Sequence, residues 1–270
     1  MTNPISQPIV LQEARPERQV YFLSDFHLGA PDYNASLIRE RKILQFLDSI
    51  EGKTAELFIL GDMFDFWYEY KQVVPKNYVR LLGRLAAIAD KGTRIHFFVG
   101  NHDMWMKDYF EKELGIKVYF QEQTFQSGTT RFYIAHGDGL GPGDKGYKFL
   151  KKIFRSKFCN WLFGKLHPDW GIGLANYFSR KSRAKTGTAD DSWIGEDQEW
   201  LVIHSKEVLQ QHHFDYFVYG HRHYPIQLDL ASSNAKHGQK SQYINLGDWI
   251  TNFTYASFDG TKMQLHKWDI

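Results

Sequence analysis

The chain has 270 residues, of which 43% are hydrophobic and 16% aromatic, with 33 lysine and arginine residues against 31 aspartate and glutamate residues. This balance excludes binding of polyanions through bulk charge, and the length suits one large domain with an insertion or two modest domains. The one cysteine, Cys159, excludes an internal disulfide and is typical of a reducing compartment. No stretch approaches the roughly 20 apolar residues of a membrane span, so we expect a cytoplasmic protein.

Short runs rich in β-branched and aromatic residues recur along the chain and predict buried strands. Between the first three runs, amphipathic segments at about 34–50 and 75–91 predict helices, the second with Pro75 near its first turn and Gly92 after its end. Buried strands that alternate with helices are typical of an α/β layered fold. The runs are VYFLS (20–24), ELFIL (56–60), IHFFV (95–99), FYIAH (132–136) and DYFVYG (215–220), and a β-rich tail follows with QYINLGDW (242–249) and FTYASFDGTKMQLHKW (253–268).

Polar residues and glycines follow each of the first five runs at the point where the run ends. In layered α/β folds the carboxyl ends of the strands gather at one edge and form a binding crevice, so we expect these side chains to lie close together. The residues are Asp25 and His27, then Gly61, Asp62 and Asp65, then Gly100, Asn101, His102 and Asp103, then His136, and last Gly220, His221 and His223.

The chemistry of these side chains predicts a metal site. Carboxylate, imidazole and amide groups without a thiolate suit Mn²⁺, Fe²⁺ or Zn²⁺ and disfavour a closed structural zinc site. On an extended segment Asp25 and His27 would face the same side and chelate one ion, as would His221 and His223. The seven candidate ligands are Asp25, His27, Asp62, Asn101, His136, His221 and His223.

Seven ligands are too many for one ion with an open position and suit two ions that share a carboxylate. A pair of divalent ions about 3.5 to 4 Å apart activates water and holds phosphate oxygens during phosphoryl transfer. We therefore expect two divalent ions as cofactors, Mn²⁺ first, with Fe²⁺ or Zn²⁺ as alternatives.

Asn101 and His102 are the candidate catalytic residues. Asn101 would supply a neutral oxygen to one ion, whereas His102 would point the other way and hydrogen-bond or protonate the leaving oxygen. Asp65 or Asp103 would orient the His102 ring. The glycines before these residues would let the backbone come close to the ions.

Taken in order, the five blocks resemble the signature blocks of the calcineurin-like metallophosphoesterases over about 200 residues. The resemblance implies an α/β fold with four αββα layers and a dinuclear centre. The blocks are Asp25-x-His27, Gly61-Asp62-x-x-Asp65, Gly100-Asn101-His102-Asp103, His136-Gly137-Asp138 and Gly220-His221-x-His223. By this resemblance one ion is bound by Asp25, His27 and His223, the other by Asn101, His136 and His221, and Asp62 bridges the two.

Within that family, GDMFDFW (61–67), HGDG (136–139) with the insertion after it, and NLGDW (245–249) resemble the UDP-2,3-diacylglucosamine diphosphatases of lipid A synthesis. This resemblance implies hydrolysis of the pyrophosphate bond of a nucleotide-linked glycolipid, which yields UMP and 2,3-diacylglucosamine 1-phosphate. Members of the branch tend to carry arginine at the position of His102, where this chain keeps the histidine of the wider family.

Two other functions stay open at this point. One is a phosphodiesterase of the same superfamily that acts on nucleic acid or cyclic nucleotides, for which strong salt dependence of binding would be the sign. The other is a non-enzymatic interaction module on the same fold, which would not require all seven ligands. We favour the glycolipid substrate and expect no nucleic acid partner, while the oligomeric state is left open by the sequence.

The segment 141–195 predicts a basic, aromatic helical cap inserted between two parts of the core, 18–140 and 196–270, after an N-terminal arm at 1–17. Residues 145–185 hold 11 lysine and arginine residues against one acid, Asp169, which leaves 22 basic and 30 acidic residues elsewhere. Charge is therefore segregated, and the insertion is the basic part of the chain.

Apolar residues recur in this cap at helical spacing, opposite a basic face, which predicts one basic amphipathic helix. Such a helix suits an anionic membrane surface or an amphiphile with a phosphate head. We therefore expect peripheral association with an anionic membrane, at its inner face. The candidate substrate-binding residues are Lys148, Lys152 and Arg155 on the basic face and Phe154, Phe158 and Trp161 on the apolar face.

Overall fold

A computed structural model describes residues 7–143, 145–186, 192–230 and 240–269, with the backbone alone at 145, 147, 180 and 182–186. Residues 1–6 of the predicted arm, 144 and 187–191 of the predicted cap, and 231–239 and 270 of the predicted core lie outside the described residues. The elements in this part of the chain are β1 (Ile9–Val10), β2 (Gln19–Leu23), α1 (Tyr33–Ser49), β3 (Thr54–Leu60), α2 (Val79–Asp90), β4 (Arg94–Phe98), α3 (Tyr109–Leu114), β5 (Lys117–Tyr119), β6 (Gln123–Ser127), β7 (Thr130–Ala135), α4 (Lys145–Phe154), α5 (Lys157–Phe163), α6 (Pro168–Thr186), α7 (Trp200–Leu209), β8 (Tyr216–Tyr219), β9 (Ile226–Leu230), β10 (Ser241–Asn245), β11 (Thr254–Phe258) and β12 (Met263–Lys267).

The strands form two mixed sheets of six strands each. One sheet has the order β12, β11, β2, β3, β4, β5, and the other has the order β1, β6, β7, β8, β10, β9. In the first sheet β2, β3, β4 and β5 run parallel, and in the second β7, β8 and β10 do so. The seven runs that predicted strands all lie in these sheets, so the α/β prediction is confirmed.

The two sheets pack face to face over a layer of aromatic side chains. Phe22 stacks on Phe58 with ring centroids 4.9 Å apart, and it meets Phe132 of the other sheet at 6.3 Å. Because neighbouring strand residues point to opposite faces, Leu23 and Ile59 pack outward in an apolar cluster with α1, α2 and α3. Helix α7 covers the outer face of the other sheet. The four layers of the predicted αββα sandwich are therefore confirmed.

The first two helices follow the predicted segments, with one shifted start. Helix α1 begins after Asp32, whose side chain accepts a hydrogen bond from the backbone N of Ala35 at 3.0 Å. Helix α2 begins at Val79 rather than near Pro75, because Asn77 and Tyr78 have φ values of 84° and 53°, which an α-helix does not contain.

The predicted cap helix is divided in two, so that prediction is wrong. Helix α4 ends at Phe154, and Ser156 begins α5 by accepting a hydrogen bond from the backbone N of Cys159 at 3.2 Å. Phe154 and Trp161 therefore lie on separate helices rather than on one face. Among the helices that the structure describes, none combines the length and apolar character needed to cross a bilayer.

The exposed Gly83 in the middle of α2 gives a test of that helix. A Cβ built at this glycine meets nothing within 4 Å. Gly83→Ala should raise the free energy of unfolding by about 0.5 to 1 kcal/mol, because alanine loses less conformational freedom in a helix than glycine. Urea denaturation of parent and variant measures the change, and a lower midpoint in the variant would contradict the helix.

Candidate metal centre

The carboxyl ends of the parallel strands in both sheets meet at one edge of the sandwich. Each of the seven candidate ligands follows β2, β3, β4, β7 or β8 within four residues of the strand's end. Asp25, His27, Asp62 and His136 are buried there. The seven side chains therefore converge as the sequence predicted, at an edge of the sandwich that we call the ligand edge. They form two adjacent groups.

The first group joins Asp25, His27 and His223. Oδ1 of Asp25 lies 3.7 Å from Nε2 of His27 and 3.5 Å from Nε2 of His223, and the two imidazole nitrogens lie 3.2 Å apart. All three residues offer a ligand atom within 4.8 Å of the others. One ion could therefore be held by all three.

The second group joins Asp62, Asn101, His136 and His221. Nε2 of His136 lies 3.5 Å from Oδ2 of Asp62 and 3.2 Å from Oδ1 of Asn101. The ligand atoms of Asp62, His136 and His221 lie within 4.8 Å of one another. Oδ2 of Asp62 is also 3.8 Å from Nε2 of His27, so this carboxylate lies between the two groups.

Two expectations drawn from spacing alone are wrong. His221 and His223 do not share a group, since His221 is in the second group and His223 in the first. Asp25 and His27 are not on an extended segment, because their φ values are 56° and 44°. In this curled conformation the backbone N–H of His27 still donates to the carbonyl of Asp62 at 2.8 Å, so the segment stays attached to the chain that follows β3.

The Asp25 carboxylate is ionised at neutral pH although it is buried. Burial alone raises the pKa of Asp25, but the neighbouring imidazoles of His223 and His27 outweigh it, so the pKa lies below its ordinary value. No described residue donates a hydrogen bond to Oδ1 of Asp25. A buried, ionised oxygen of this kind fits a divalent cation.

Asp62 and His136 form a charged pair in the second group. Burial alone raises the pKa of Asp62, but His136 and His102 lower it well below its ordinary value. Burial lowers the pKa of His136, yet the charge of Asp62 outweighs it and raises that pKa to about 10. Nδ1 of His136 lies 2.6 Å from the carbonyl of Leu60, which directs Nε2 towards Asp62. A cation bound here would replace the proton on Nε2.

His102 lies outside these two groups, but it forms a third set with His27 and Asp65 whose ligand atoms also lie within 4.8 Å of one another. Its backbone N donates to Oδ1 of Asp62 at 2.8 Å, and its Nδ1 lies 2.9 Å from the backbone carbonyl of Asp65. With Nδ1 held in this way, Nε2 is the ring nitrogen that can meet a substrate oxygen. The carboxylate of Asp103 does not orient this ring, because it accepts from the backbone N of Gly100 at 2.6 Å and of Met63 at 3.0 Å.

Two buried residues that support the site were not identified from the sequence. Arg39 on α1 donates to the carbonyls of Phe26 at 2.9 Å, His27 at 2.7 Å and Ala30 at 3.0 Å. Asp248 lies 4.0 Å from Nδ1 of His223. The NLGDW motif was a signal for Asp248, whereas nothing near Arg39 in the sequence marks it.

Two cap residues that the sequence did not single out contact the loops that follow β3 and β7. Oγ of Ser179 on α6 donates to Oδ1 of Asp65 at 3.1 Å. Nζ of Lys151 on α4 forms an ion pair with Oδ2 of Asp138 at 2.5 Å and donates to the backbone carbonyl of Asp138 at 2.6 Å. The insertion is therefore attached to the loops that carry the candidate ligands.

A cavity of about 710 Å³ lies where α4 and α5 meet the loops after β3 and β4. Arg155 and Trp161 line this cavity, and the other four predicted substrate-binding residues do not. The cavity's described lining includes five cationic side chains and no acid, with Tyr68, Tyr70, Trp105 and Phe120 as aromatic walls. The cationic side chains are those of Lys71, Lys107, Arg155, Lys157 and Lys165.

The other four predicted substrate-binding residues lie on the cap but do not line this cavity. Lys148 donates to the carbonyl of Gly141, and Lys152 is exposed. The carbonyl of Phe154 accepts a hydrogen bond from Nε1 of Trp105 at 2.7 Å, and 68% of Phe158 is exposed. The basic and apolar groups of the cap are thus present, in an arrangement that one helix would not have produced.

Comparisons with known proteins identify relatives along most of the chain. A family model described as calcineurin-like phosphoesterase matches residues 18–225. A UDP-2,3-diacylglucosamine hydrolase of Porphyromonas gingivalis is 36% identical over 92% of this chain and 96% of that protein. The hydrolase of the same name from Aeromonas salmonicida is 28% identical over 85% of both chains. The solved structure of Yfce, a phosphoesterase from E. coli, covers 92% of both chains at 15% identity with a TM-score of 0.43.

The close approach of Gly100 to Asp62 gives a test of the site geometry. A Cβ at Gly100 would lie 2.6 Å from the backbone N of Asp62 and closer still to Oδ1. Gly100→Ala should therefore displace the carboxylate and weaken Mn²⁺ binding to the metal-free protein by about 10- to 100-fold, the usual effect of disturbing a ligand's surroundings. Calorimetric titration measures it, with Gly83→Ala as the control. Parent-like affinity in Gly100→Ala would contradict the packing described here.

Proposed function

The chain belongs to the calcineurin-like phosphoesterase family and is a hydrolase, and on that premise we propose that it cleaves the pyrophosphate bond of a nucleotide-linked glycolipid. The proposed substrate is UDP-2,3-diacylglucosamine, and the products are UMP and 2,3-diacylglucosamine 1-phosphate. The observation that carries this proposal is that the basic, aromatic cap contacts the loops of the candidate ligands through Ser179 and Lys151 and also lines a large cavity. The relatives named UDP-2,3-diacylglucosamine hydrolase support the choice of substrate.

The proposed cofactors are two divalent ions, with Mn²⁺ preferred and Fe²⁺ or Zn²⁺ as alternatives. When bound, such a pair activates water and neutralises charge on the phosphate. The proposed ligand sets follow the two groups of side chains, with Asp25, His27 and His223 for one ion, Asn101, His136 and His221 for the other, and Asp62 shared.

The proposed reaction is an in-line attack of water on the α-phosphorus. A phosphorus–oxygen bond forms to the water oxygen, and the bond from that phosphorus to the bridging oxygen breaks, which leaves the sugar 1-phosphate. His102 lies at the rim of the ligand edge with Nδ1 held by the carbonyl of Asp65. Its Nε2 would therefore hydrogen-bond to the phosphate or to the leaving oxygen as negative charge develops.

The cap supplies the proposed binding surface for the lipid. Of the 20 exposed large hydrophobic side chains among the described residues, 12 lie between Phe149 and Phe178. These include aliphatic side chains such as Leu150 and Leu162, which favour acyl chains over nucleobases because bases stack on aromatic rings. The five cations of the cavity would bind the diphosphate. We propose that the same surface associates with an anionic membrane at its inner face.

The role of His102 can be separated from metal binding. His102→Ala should lower kcat by about 10²- to 10⁴-fold, the usual contribution of a positioned acid-base group, with the metal content nearly unchanged. Steady-state kinetics and elemental analysis of the same preparation measure both. Loss of one equivalent of metal would show that His102 is a ligand.

The substrate proposal is tested on the exposed aromatic residues of α5. Changing both Phe158 and Trp161 to serine should reduce the preference for the diacylated substrate over its deacylated form by about tenfold or more, because each CH₂ group that loses a buried contact costs about 0.8 kcal/mol. The measurement is kcat/KM for both substrates and for a small chromogenic phosphodiester. A change of both Tyr33 and Ile38 to serine, on the exposed side of α1 and similarly exposed, is the matched control.

Two results would count against the glycolipid. If the parent cleaves acylated and deacylated substrates equally well, the cap does not recognise acyl chains. If the α5 variant loses activity on all three substrates together, the cap is a structural layer. Either result favours a phosphodiesterase of broader specificity.

A further inference from the structure

Arg222 is buried between the candidate ligands His221 and His223, and it forms an ion pair with the buried Glu199 at the start of α7. We propose that this ion pair positions both histidines for metal binding. The inference rests on the ligand assignment proposed above and goes beyond it, because Glu199 lies outside every motif and Arg222 occupies the unspecified position of Gly220-His221-x-His223.

The guanidinium of Arg222 connects three parts of the chain. Its Nε lies 3.0 Å from Oε1 of Glu199, and its Nη2 lies 3.3 Å from Oε2 of the same carboxylate. Nη2 also donates to the backbone carbonyl of Ser192 at 3.0 Å. Both side chains are buried. The guanidinium therefore connects the turn at residues 220–223, which carries both histidines, to Glu199 at the start of α7 and to the backbone at Ser192.

The turn needs such support because its backbone is unusual. His221 has a φ of 65°, a left-handed conformation that is uncommon for residues other than glycine and that costs free energy even for histidine. The N–H of Arg222 donates to the carbonyl of Gly220 at 2.7 Å, so the chain reverses tightly at His221. This reversal sends His221 to one ligand group and His223 to the other.

A second contact holds the opposite side of this turn. The backbone N of His221 donates to Oδ2 of Asp25 at 2.9 Å. The turn is thus held between a candidate ligand and the Arg222–Glu199 pair. Without the Glu199 charge, Arg222 would be left buried beside a neutral group. The turn would then be held mainly by the hydrogen bonds from Asn245 to the Gly220 carbonyl and from Asn252 to the His223 carbonyl. Both histidines would move, so affinity for both ions should fall.

The test uses Glu199→Gln, which keeps the shape of the side chain and removes its charge. Mn²⁺ affinity is measured by calorimetric titration of the metal-free protein, and metal retained per chain is measured after dialysis against a chelator. We expect affinity to fall by about 10- to 100-fold. We also expect kcat at saturating Mn²⁺ to recover to near the parent value, because neither residue touches the substrate in the proposed reaction.

Glu56→Gln is the matched control. Glu56 is also a buried carboxylate paired with an arginine, Arg94, but it lies near the amino end of β3, away from the ligand edge. Both variants should lower the unfolding temperature, and only Glu199→Gln should weaken Mn²⁺ binding. If Glu199→Gln does not fold, Arg222→Lys gives the same test, because lysine keeps the charge and cannot span the carboxylate and the Ser192 carbonyl together.

Asp62→Ala is the reference that separates this inference from the proposed ligand set. Loss of metal in Asp62→Ala together with parent-like affinity in the Glu199→Gln or Arg222→Lys variant overturns the positioning role alone. Parent-like affinity in Asp62→Ala overturns the ligand assignment, and the inference with it. Loss in Asp62→Ala and in the ion-pair variant, with none in Glu56→Gln, is the result we expect.

Discussion

The ligand edge depends on the Asp62 carboxylate, because this group lies between residues from both sheets. Oδ1 accepts from the backbone N of His102 after β4, while Oδ2 lies 3.5 Å from His136 after β7 and 3.8 Å from His27 after β2. These distances from Asp62 are kept only if the two sheets hold a fixed position relative to each other. The aromatic layer between the sheets is thus also the support of the site, since a shift of one sheet would separate His136 from Asp62.

Much of this edge could be predicted because its signals are local. A short apolar run followed by glycine, carboxylate or imidazole marks a strand and its end in the same few residues, and that pattern identified all seven candidate ligands. Arg39 could not be found in this way, because its partners are backbone carbonyls near His27, 9 to 13 residues earlier in the chain. The division of the predicted cap helix at Ser156 was not found because the apolar spacing continues across this residue. The start of α5 is marked only by one hydrogen bond, from the backbone N of Cys159 to the Ser156 side chain.

The backbone conformation at the ligand edge could not be predicted from the sequence either. Seven non-glycine residues of the described chain have positive φ, and four of them are the candidate ligands Asp25, His27, Asp62 and His221. Each such residue costs on the order of 1 to 3 kcal/mol, which the surrounding strands and buried hydrogen bonds must offset. Aspartate and histidine tolerate this region better than most residues, so the ligand types and the curled strand ends are compatible with each other.

The insertion differs from the core in charge and in exposure, and among the described residues two of its polar side chains contact the loops of the candidate ligands. Ser179 on α6 donates to the side chain of Asp65, and the backbone carbonyl of the same Asp65 accepts from Nδ1 of His102. A movement of α6 therefore changes the surroundings of the residue that orients His102. Lys151 makes a second link through Asp138, two residues after His136. The exposed apolar surface of the cap, which we propose binds the lipid, is thus connected through Asp65 and Asp138 to the two strand ends that hold His102 and His136.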